Sequence, residues 1–216
     1  MKISGRLISV NTVDVIDISL GGVALRTNRM LQIGTEHLFR VETKGHSMSV
    51  KGVVVWSTPR ETRQTTDGEI EQLYAVGMRY NDLDTKKVNA LIEFIESHKL
   101  EKDSLKLHSM SGSRFNMRYH LSSNGKFMLT CPEDFLVREI SPRDMLIETE
   151  HAYELDKELP MIIFLPGNNK ISFTGQIVSC KPINAAEPKQ VAIGVKFLNL
   201  MDESVQKLTG FIGTLY

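Results

Sequence analysis

The chain has 216 residues, of which 41% are apolar and 24% charged, and its 26 basic side chains are balanced by 26 acidic ones. This composition excludes wholesale disorder and allows one large domain or two small ones of about 100 residues each. Because its net charge is zero, the protein lacks the broad positive electrostatic field of a non-specific nucleic-acid binder. We therefore expect no nucleic-acid partner, and any anion-binding site has to be local.

The N-terminal sequence has neither a long apolar stretch nor a small-residue cleavage site. No run approaches the roughly 18 apolar residues of a membrane helix. Cys131 and Cys180 are far apart and match no spacing of paired metal ligands. These features predict a cytoplasmic protein with reduced thiols, no membrane insertion and no metal site.

The first hundred residues predict several short strands followed by a helix. Two apolar runs flank the turn DISLGG at 17–22, and strand-like runs follow at 38–42 and 52–56. β-branched and aromatic residues bounded by Gly, Pro, Asn and Asp are typical of strands and turns. Asp84 is placed to cap a helix whose apolar stripe is formed by Val88, Leu91, Ile92 and Ile95.

Residues 98–113 are polar and end in a Ser/Gly cluster, which predicts a linker. Strand-like runs follow at 161–165 and 171–178. A second helix is predicted to open near Asp202 or Glu203, and its apolar face is formed by Val205, Leu208 and Ile212.

Three blocks of sequence recur in the same order, 117 to 123 positions apart. They pair 16–27 with 138–149, 52–57 with 175–180, and 75–95 with 192–212. The period is far above the 20 to 50 or so residues of a solenoid, so it indicates the duplication of one domain.

The sequence thus predicts a mainly β protein with two small antiparallel β-barrels in tandem, each closed by a C-terminal helix. The first repeat is expected at 1–97, the linker at 98–113 and the second repeat at 114–216.

Two short motifs carry a family resemblance. Asp17, Ser19 and Gly22 form a D-x-S-x-x-G turn, and Arg114 with Arg118 forms an R-x-x-x-R pair. In this order and spacing they resemble the PilZ family, and the two repeats together cover nearly the whole chain. The resemblance implies a bacterial receptor for cyclic di-GMP that acts on motility, pili or exopolysaccharide output through a protein partner. It implies a binding protein, not an enzyme.

The residue types suit a cyclic dinucleotide, which carries two phosphates and two guanines. An arginine fork can bind phosphate, guanine O6 and N7, or stack on a base. A carboxylate such as that of Asp17 can accept from guanine N–H groups, and the hydroxyl of Ser19 can donate and accept. A glycine such as Gly22 allows close approach of the backbone.

The two halves of this constellation are split between the repeats. The first repeat has the intact turn, but it starts too late to contain an arginine pair of its own. The second repeat has the pair, but its turn contains Glu139, Ser141 and Asp144, and Asp144 stands where glycine is expected.

Three interpretations follow from the split. The second repeat binds cyclic di-GMP through Arg114, Arg118, Glu139 and Ser141; or the arginine arm reaches back to Asp17, Ser19 and Gly22 in a composite site; or neither binds nucleotide and the chain is a protein-interaction module.

No catalytic or metal-binding motif accompanies these residues. The six histidines form no H-x-x-x-H pair, and no nucleophile elbow or phosphate-binding loop is present, so we expect no metal, no cofactor and no catalysis. Trp56 and Phe94 are expected in the hydrophobic core.

Overall fold

The computed structural model describes residues 3–43, 46–64, 68, 70–100, 117–122, 125–167, 169–184 and 190–214. Most of the expected linker and Arg114 lie outside the described residues. The strands are β1 (Ile3–Thr12), β2 (Asp14–Ile18), β3 (Gly22–Thr27), β4 (Glu36–Thr43), β5 (His46–Gln64), β6 (Ile70–Tyr80), β7 (Lys126–Ile140), β8 (Asp144–Thr149), β9 (Glu158–Leu165), β10 (Asn169–Pro182) and β11 (Val191–Leu198). The helices are α1 (Thr85–His98), between β6 and β7, and α2 (Asp202–Ile212), after β11.

The chain forms two compact units, which we call the first barrel (Val10–Cys131) and the second barrel (Met1–Ser9 with Pro132–Tyr216). In the first barrel the strands are neighbours in the order β2-β3-β6-β5-β4-β7, all antiparallel. The N–H of Val13, just before β2, donates to the carbonyl of Phe127 in β7 at 3.0 Å. This bond connects the first and last strands of the order. The prediction of a mainly β protein with two barrels is confirmed.

The second barrel repeats this arrangement with the order β1-β9-β10-β11-β8-β7. Its ends meet where β1 lies against β7, and there Arg6 Nε bonds Asp134 Oδ1 at 2.6 Å.

The compact units divide the chain differently from the sequence segments 1–97 and 114–216. β1 is divided after Ser9, and its beginning belongs to the second barrel, whereas β7 is divided after Cys131, and its beginning belongs to the first. The apolar side chains show why. Ile3 and Leu7 are buried in the core of the second barrel, and Phe127 and Leu129 are buried in the core of the first. Each repeat thus supplies its opening strand to the other repeat's barrel.

Helix α1 packs on the first barrel as its sequence predicts. The carboxylate of Asp84 accepts from the N–H of Lys87 at 2.8 Å and caps the helix. Phe94 is fully buried and meets Phe127 edge-on at 6.3 Å, so its predicted place in the core is confirmed. Ile92, expected on the buried stripe, is 42% exposed. Leu91, Phe94 and Ile95 are the buried residues of the helix.

In α2, Leu208 is buried, and Phe211 and Ile212 pack against the second core. Neither α1 nor α2, the helices of the described residues, is long and apolar enough to cross a membrane.

Candidate functional site

The β2–β3 turn of the first barrel is built around the hydroxyl of Ser19. Ser19 Oγ accepts from the N–H groups of Gly21 and Gly22 at 3.2 Å each and donates to the carbonyl of Gly22 at 3.1 Å. The backbone N–H of Ser19 also bonds that carbonyl, at 2.8 Å. Ser19 is only 4% exposed. The serine therefore shapes the turn from inside.

Gly22 is required by the close approach of β6. A Cβ atom at this position would lie 2.1 Å from the carbonyl oxygen of Met78, far inside van der Waals contact. Any side chain here would push the two strands apart, so the glycine of the motif is needed for the fold of the barrel.

A segment that precedes β7 lies along this turn. Ile18 and Tyr119 exchange two backbone hydrogen bonds, at 2.9 and 2.8 Å. On the other side of the segment, the N–H of Leu100 bonds the carbonyl of His120 at 3.0 Å, and the N–H of Ser122 bonds the carbonyl of His98 at 2.8 Å. We call residues 117–122 the docked arm, because backbone bonds hold it between the turn and the end of α1.

The docked arm brings Arg118 to Asp17. Arg118 Nη1 and Asp17 Oδ1 form a hydrogen-bonded ion pair, in which the arginine side chain is 48% exposed and the carboxylate 20% exposed. Both residues belong to the first barrel. The structure thus brings together Arg118, Asp17, Ser19 and Gly22, which are the described members of the composite arrangement.

The turn of the second barrel has the same backbone plan but a different chemistry. Ser141 Oγ accepts from the N–H groups of Arg143 and Asp144 at 3.1 and 3.0 Å. Its proton goes to Asp144 Oδ1 at 2.7 Å, so the residue in place of glycine is bonded within the turn. Glu139 lies just before this turn, and both Glu139 and Asp144 are exposed. The second turn thus carries two carboxylates, with the exposed Arg143 between them in sequence.

A cavity of about 590 Å³ lies beside the second turn. Its polar lining includes Glu139, Ser141 and Asp144. It also includes Arg138, whose guanidinium forms an ion pair with Glu148. Carboxylates on its rim repel the phosphates of a dinucleotide.

Strand register places four residues side by side on the outer face of the first barrel. Asp17 pairs with Ala24, Ala24 with Gly77, and Gly77 with Trp56. We call these four residues the outer row. Arg79, an exposed cation, lies opposite Gly22 in the same β3–β6 register.

Trp56 is not in the core, so that expectation is wrong. The register shifts between Val54 and Trp56, and the extra residue there reverses the inward and outward alternation of β5. Val54 is buried in the core, but Trp56 is on the outer face, where a Cβ on Gly77 would lie 2.1 Å from its Nε1 atom. Sequence alternation alone could not reveal the bulge.

Tyr80, which sequence reasoning also missed, lies beneath the turn. Its N–H donates to the carbonyl of Gly21 at 3.1 Å, and its side chain is 8% exposed. Its hydroxyl is buried and finds no hydrogen-bond partner among the described residues. Burial raises the pKa of this phenol strongly, while the charge of Arg118 lowers it and that of Asp17 raises it. Tyr80 is thus within electrostatic reach of the ion pair.

The part of the chain that the structure describes contains no cluster of three or more His, Cys, Asp or Glu side chains able to hold a metal ion. The Arg118–Asp17 pair and the turn beside it are the arrangement that matches the sequence motifs. This arrangement places the guanidinium of Arg118 next to the carboxylate of Asp17. The hydroxyl of Ser19 in the adjacent turn is hydrogen-bonded within that turn.

Comparison with known structures finds weak overall similarity. Apo MrkH of K. pneumonia is 10% identical, with 98% of this chain and 86% of that chain covered at a TM-score of 0.34. The inhibitor of motility MotI/DgrA of Bacillus subtilis is 9% identical. The match covers 86% of this chain and 98% of that chain, with a TM-score of 0.31. PlzA of Borreliella burgdorferi, in complex with c-di-GMP, is 9% identical. The match covers 95% of this chain and 86% of that chain, with a TM-score of 0.24.

No curated protein matches the chain. The family model described as the PilZ domain matches it twice, at residues 5–97 and 111–213. Since these two matches together cover most of the sequence, one on each repeat, the chain belongs to the PilZ domain family.

Proposed function

We propose that this protein is a cyclic di-GMP effector whose ligand binds to the first barrel, at a composite site made of Arg118, Asp17 and the Ser19–Gly22 turn. The observation that carries the proposal is the ion pair between Arg118 and Asp17, which joins the two family motifs in one barrel. The family membership supports a role in binding a messenger, without catalysis.

The chemistry of the pair suits guanine and phosphate. Guanine presents O6 and N7 as acceptors, and its N–H groups as donors. Arg118 can donate to guanine O6 and N7 or to a phosphate, and Asp17 can accept from the guanine N–H groups. The arginine side chain is 48% exposed, so its fork is open to a ligand from solvent. Arg79, opposite Gly22, adds a second positive charge near a ligand that carries two negative ones.

Arg114 is the other arginine of the motif, four positions before Arg118. In the proposed complex it holds a phosphate of the same ligand, as the family resemblance implies. Glu139 and Ser141 take no part in this complex, because they belong to the second barrel. The alternative, binding by the second barrel, has the cavity of about 590 Å³ in its favour.

The second candidate function is a protein-interaction module that binds no nucleotide. The observation that favours it is that the polar groups of the first site are already bonded: Arg118 to Asp17, and Ser19 within its own turn. The regulated process, whether motility, pili or exopolysaccharide output, a protein partner and a cytoplasmic location belong to the proposal through the family resemblance alone.

Isothermal titration calorimetry with cyclic di-GMP, and with GTP as a control ligand, tests the proposal. We expect saturable binding that weakens by about 10- to 100-fold in Arg118→Ala, because a hydrogen bond to a charged group contributes about 1.5–3 kcal/mol. Arg138→Ala is the matched control, since Arg138 is also an exposed arginine in an ion pair, but in the second barrel. It should bind as the parent does.

A second pair of variants decides between the two turns. Asp17 and Glu139 occupy equivalent positions in the repeats. Asp17→Ala should weaken binding, and Glu139→Ala should leave it unchanged. The reverse result would move the ligand to the second barrel, and absence of binding by the parent protein at high micromolar ligand would favour the interaction module.

A further inference from the structure

In the first barrel, the docked arm covers the apolar end of β2. Its Tyr119 is 6% exposed, and Met117 and Leu121 on either side also pack against the first core. Ile18, which exchanges two backbone bonds with the arm, is completely buried. A short extended segment thus binds the strand through its backbone and fills the core with alternate side chains.

The second barrel has the same strand geometry at the equivalent place. Ile140 occupies the position of Ile18, and it lies opposite Met145 in β8 as Ile18 lies opposite Val23 in β3. In Ile18 this register turns the N–H and C=O groups away from β3 and towards the docked arm. The same register therefore turns the N–H and C=O groups of Ile140 away from β8, to the opposite side of β7.

Among the described residues, no segment bonds Ile140 on that side. Ile140 is partly exposed, and it lines the cavity of about 590 Å³, which we call the second groove. Val137 and Met145 also belong to its apolar lining. The equivalents of these three residues in the first barrel belong to the core against which the docked arm packs; they are Val15, Ile18 and Val23.

The charge beside the second groove also follows the plan of the first barrel. Arg118 of the docked arm pairs with Asp17, and Glu139 lines the second groove at the equivalent position. Glu139 is exposed, so its carboxylate is open to a cation from solvent. Arg138, which also lines the groove, is engaged in an ion pair of its own. A basic side chain on an incoming segment therefore meets an opposite charge.

From this equivalence we infer that the second groove docks an extended segment of a partner protein, with apolar side chains at alternate positions and an arginine or lysine between them. The segment bonds the N–H and C=O of Ile140 as the docked arm bonds Ile18, and its cation pairs with Glu139. The chain's own arm is engaged on the first barrel, so the segment comes from another protein. The inference goes beyond the proposed function and does not depend on nucleotide binding.

A peptide of residues 116–122, with the sequence NMRYHLS, has this chemistry and serves as the probe. It is titrated into the ¹⁵N-labelled full chain, and amide chemical shifts are measured by NMR. We expect saturable shifts at Ile140 and Ser141. Glu139→Ala should weaken binding by about 10-fold, because the ion pair to the peptide's arginine is lost. Glu154→Ala is the matched control, an exposed glutamate of the same barrel outside the groove lining, and should bind as the parent does.

A second probe carries glutamate in place of the peptide's arginine and should bind more weakly than the first. It changes only the peptide, so it tests the inference even if Glu139→Ala does not fold. The inference is wrong if millimolar peptide produces no shifts, or if both peptides bind equally well. Shifts confined to Ile18 and the docked arm would also overturn it, because the probe would then only replace the arm on the first barrel. If cyclic di-GMP shifted Ile140 and Ser141 and the peptide did not, the second groove would be a nucleotide site.

Discussion

The serine of the D-x-S-x-x-G motif has no bonding capacity left for a ligand. A hydroxyl has one proton and two lone pairs. In Ser19 the proton goes to the carbonyl of Gly22, and the lone pairs accept from the N–H groups of Gly21 and Gly22. Ser141 spends its hydroxyl in the same way within its own turn. The serine of the motif thus stabilises a tight turn. In the first barrel, the aspartate of the motif, Asp17, forms the ion pair with Arg118.

The buried hydroxyl of Tyr80 leads to a prediction about stability. It finds no partner in the described residues, and Phe197 occupies the equivalent position of the second barrel. Since an unsatisfied buried hydroxyl costs free energy, Tyr80→Phe should raise the free energy of unfolding by about 1 kcal/mol. Urea denaturation measures the change.

The reverse change serves as the control for Tyr80. Phe197→Tyr adds a hydroxyl at a site that is 9% exposed and should lower the free energy of unfolding. If Tyr80→Phe destabilised the protein instead, the hydroxyl of Tyr80 would have a hydrogen-bonding role in the folded chain.

Among the elements, those with strong local patterns could be predicted from the sequence. The cap at Asp84, the burial of Leu91 and Ile95, and the repeated turns all follow from local residue types. The outward position of Trp56 could not be predicted, because one extra residue in β5 reverses the alternation without a local signal. The periodicity of a strand shows that it alternates, but not where it bulges.

The exchange of strand beginnings also has no signature in the sequence. The beginnings of β1 and β7 are equivalent segments of a duplicated domain, so either can occupy the same place in either barrel. The sequence could therefore establish that the arginine arm and the intact turn lie in different repeats. It could not decide that the arm runs along the first turn, because that depends on which barrel takes the beginning of β7.

This exchange predicts how fragments of the chain fold. A fragment of residues 1–97 lacks the docked arm and the part of β7 that pairs with β4. It loses Tyr119, Phe127 and Leu129 from its core. We expect residues 10–131 to unfold in one cooperative transition and residues 1–97 to show none, as measured by circular dichroism during thermal denaturation. A cooperative transition of the 1–97 fragment would show that the first repeat folds without the exchanged strand.

At the scale of the whole molecule, the two barrels share a plan and differ in where they carry polar groups. The first has Arg118, Asp17 and Trp56 on its outer face. The second has a half-buried carboxylate, Glu133, where the first has Asn11. Duplication preserved the strands and the turns, which the fold needs, while the polar positions diverged.

Glu133 links this divergence to the effect of pH. Its side chain is 11% exposed and accepts from the hydroxyl of Tyr153 at 2.5 Å, and His151 Nδ1 lies 3.1 Å from Glu133 Oε2, where it forms an ion pair when the ring is protonated. It also accepts from the backbone N–H of Glu150 at 3.0 Å. Burial alone raises the pKa of Glu133, but the bonds from His151 and Tyr153 outweigh it and hold the pKa below its ordinary value of 4.5.

The sign of the effect follows from linkage. The folded pKa of Glu133 lies below the unfolded one, so its ionised form stabilises the second barrel above the unfolded pKa, and this contribution is lost as pH falls through the folded pKa. Glu133→Gln removes the ionisable group, so the unfolding free energy should fall less between pH 6 and pH 3 or so than in the parent. At pH 7 the variant should be less stable by about 2 kcal/mol, because the hydroxyl of Tyr153 and the backbone N–H of Glu150 would then donate to a neutral amide and not to a charged carboxylate.

Urea denaturation across this pH range tests the prediction, and Glu36→Gln is the matched control. The pKa of Glu36 is also lowered, by bonds from Asn81 and Lys51, but Glu36 is on the surface of the first barrel. Exposed ion pairs contribute little to stability, so this variant should keep the parent's acid sensitivity. If Glu133→Gln lost stability towards acid as steeply as the parent, the acid response of the second barrel would have to come from other carboxylates.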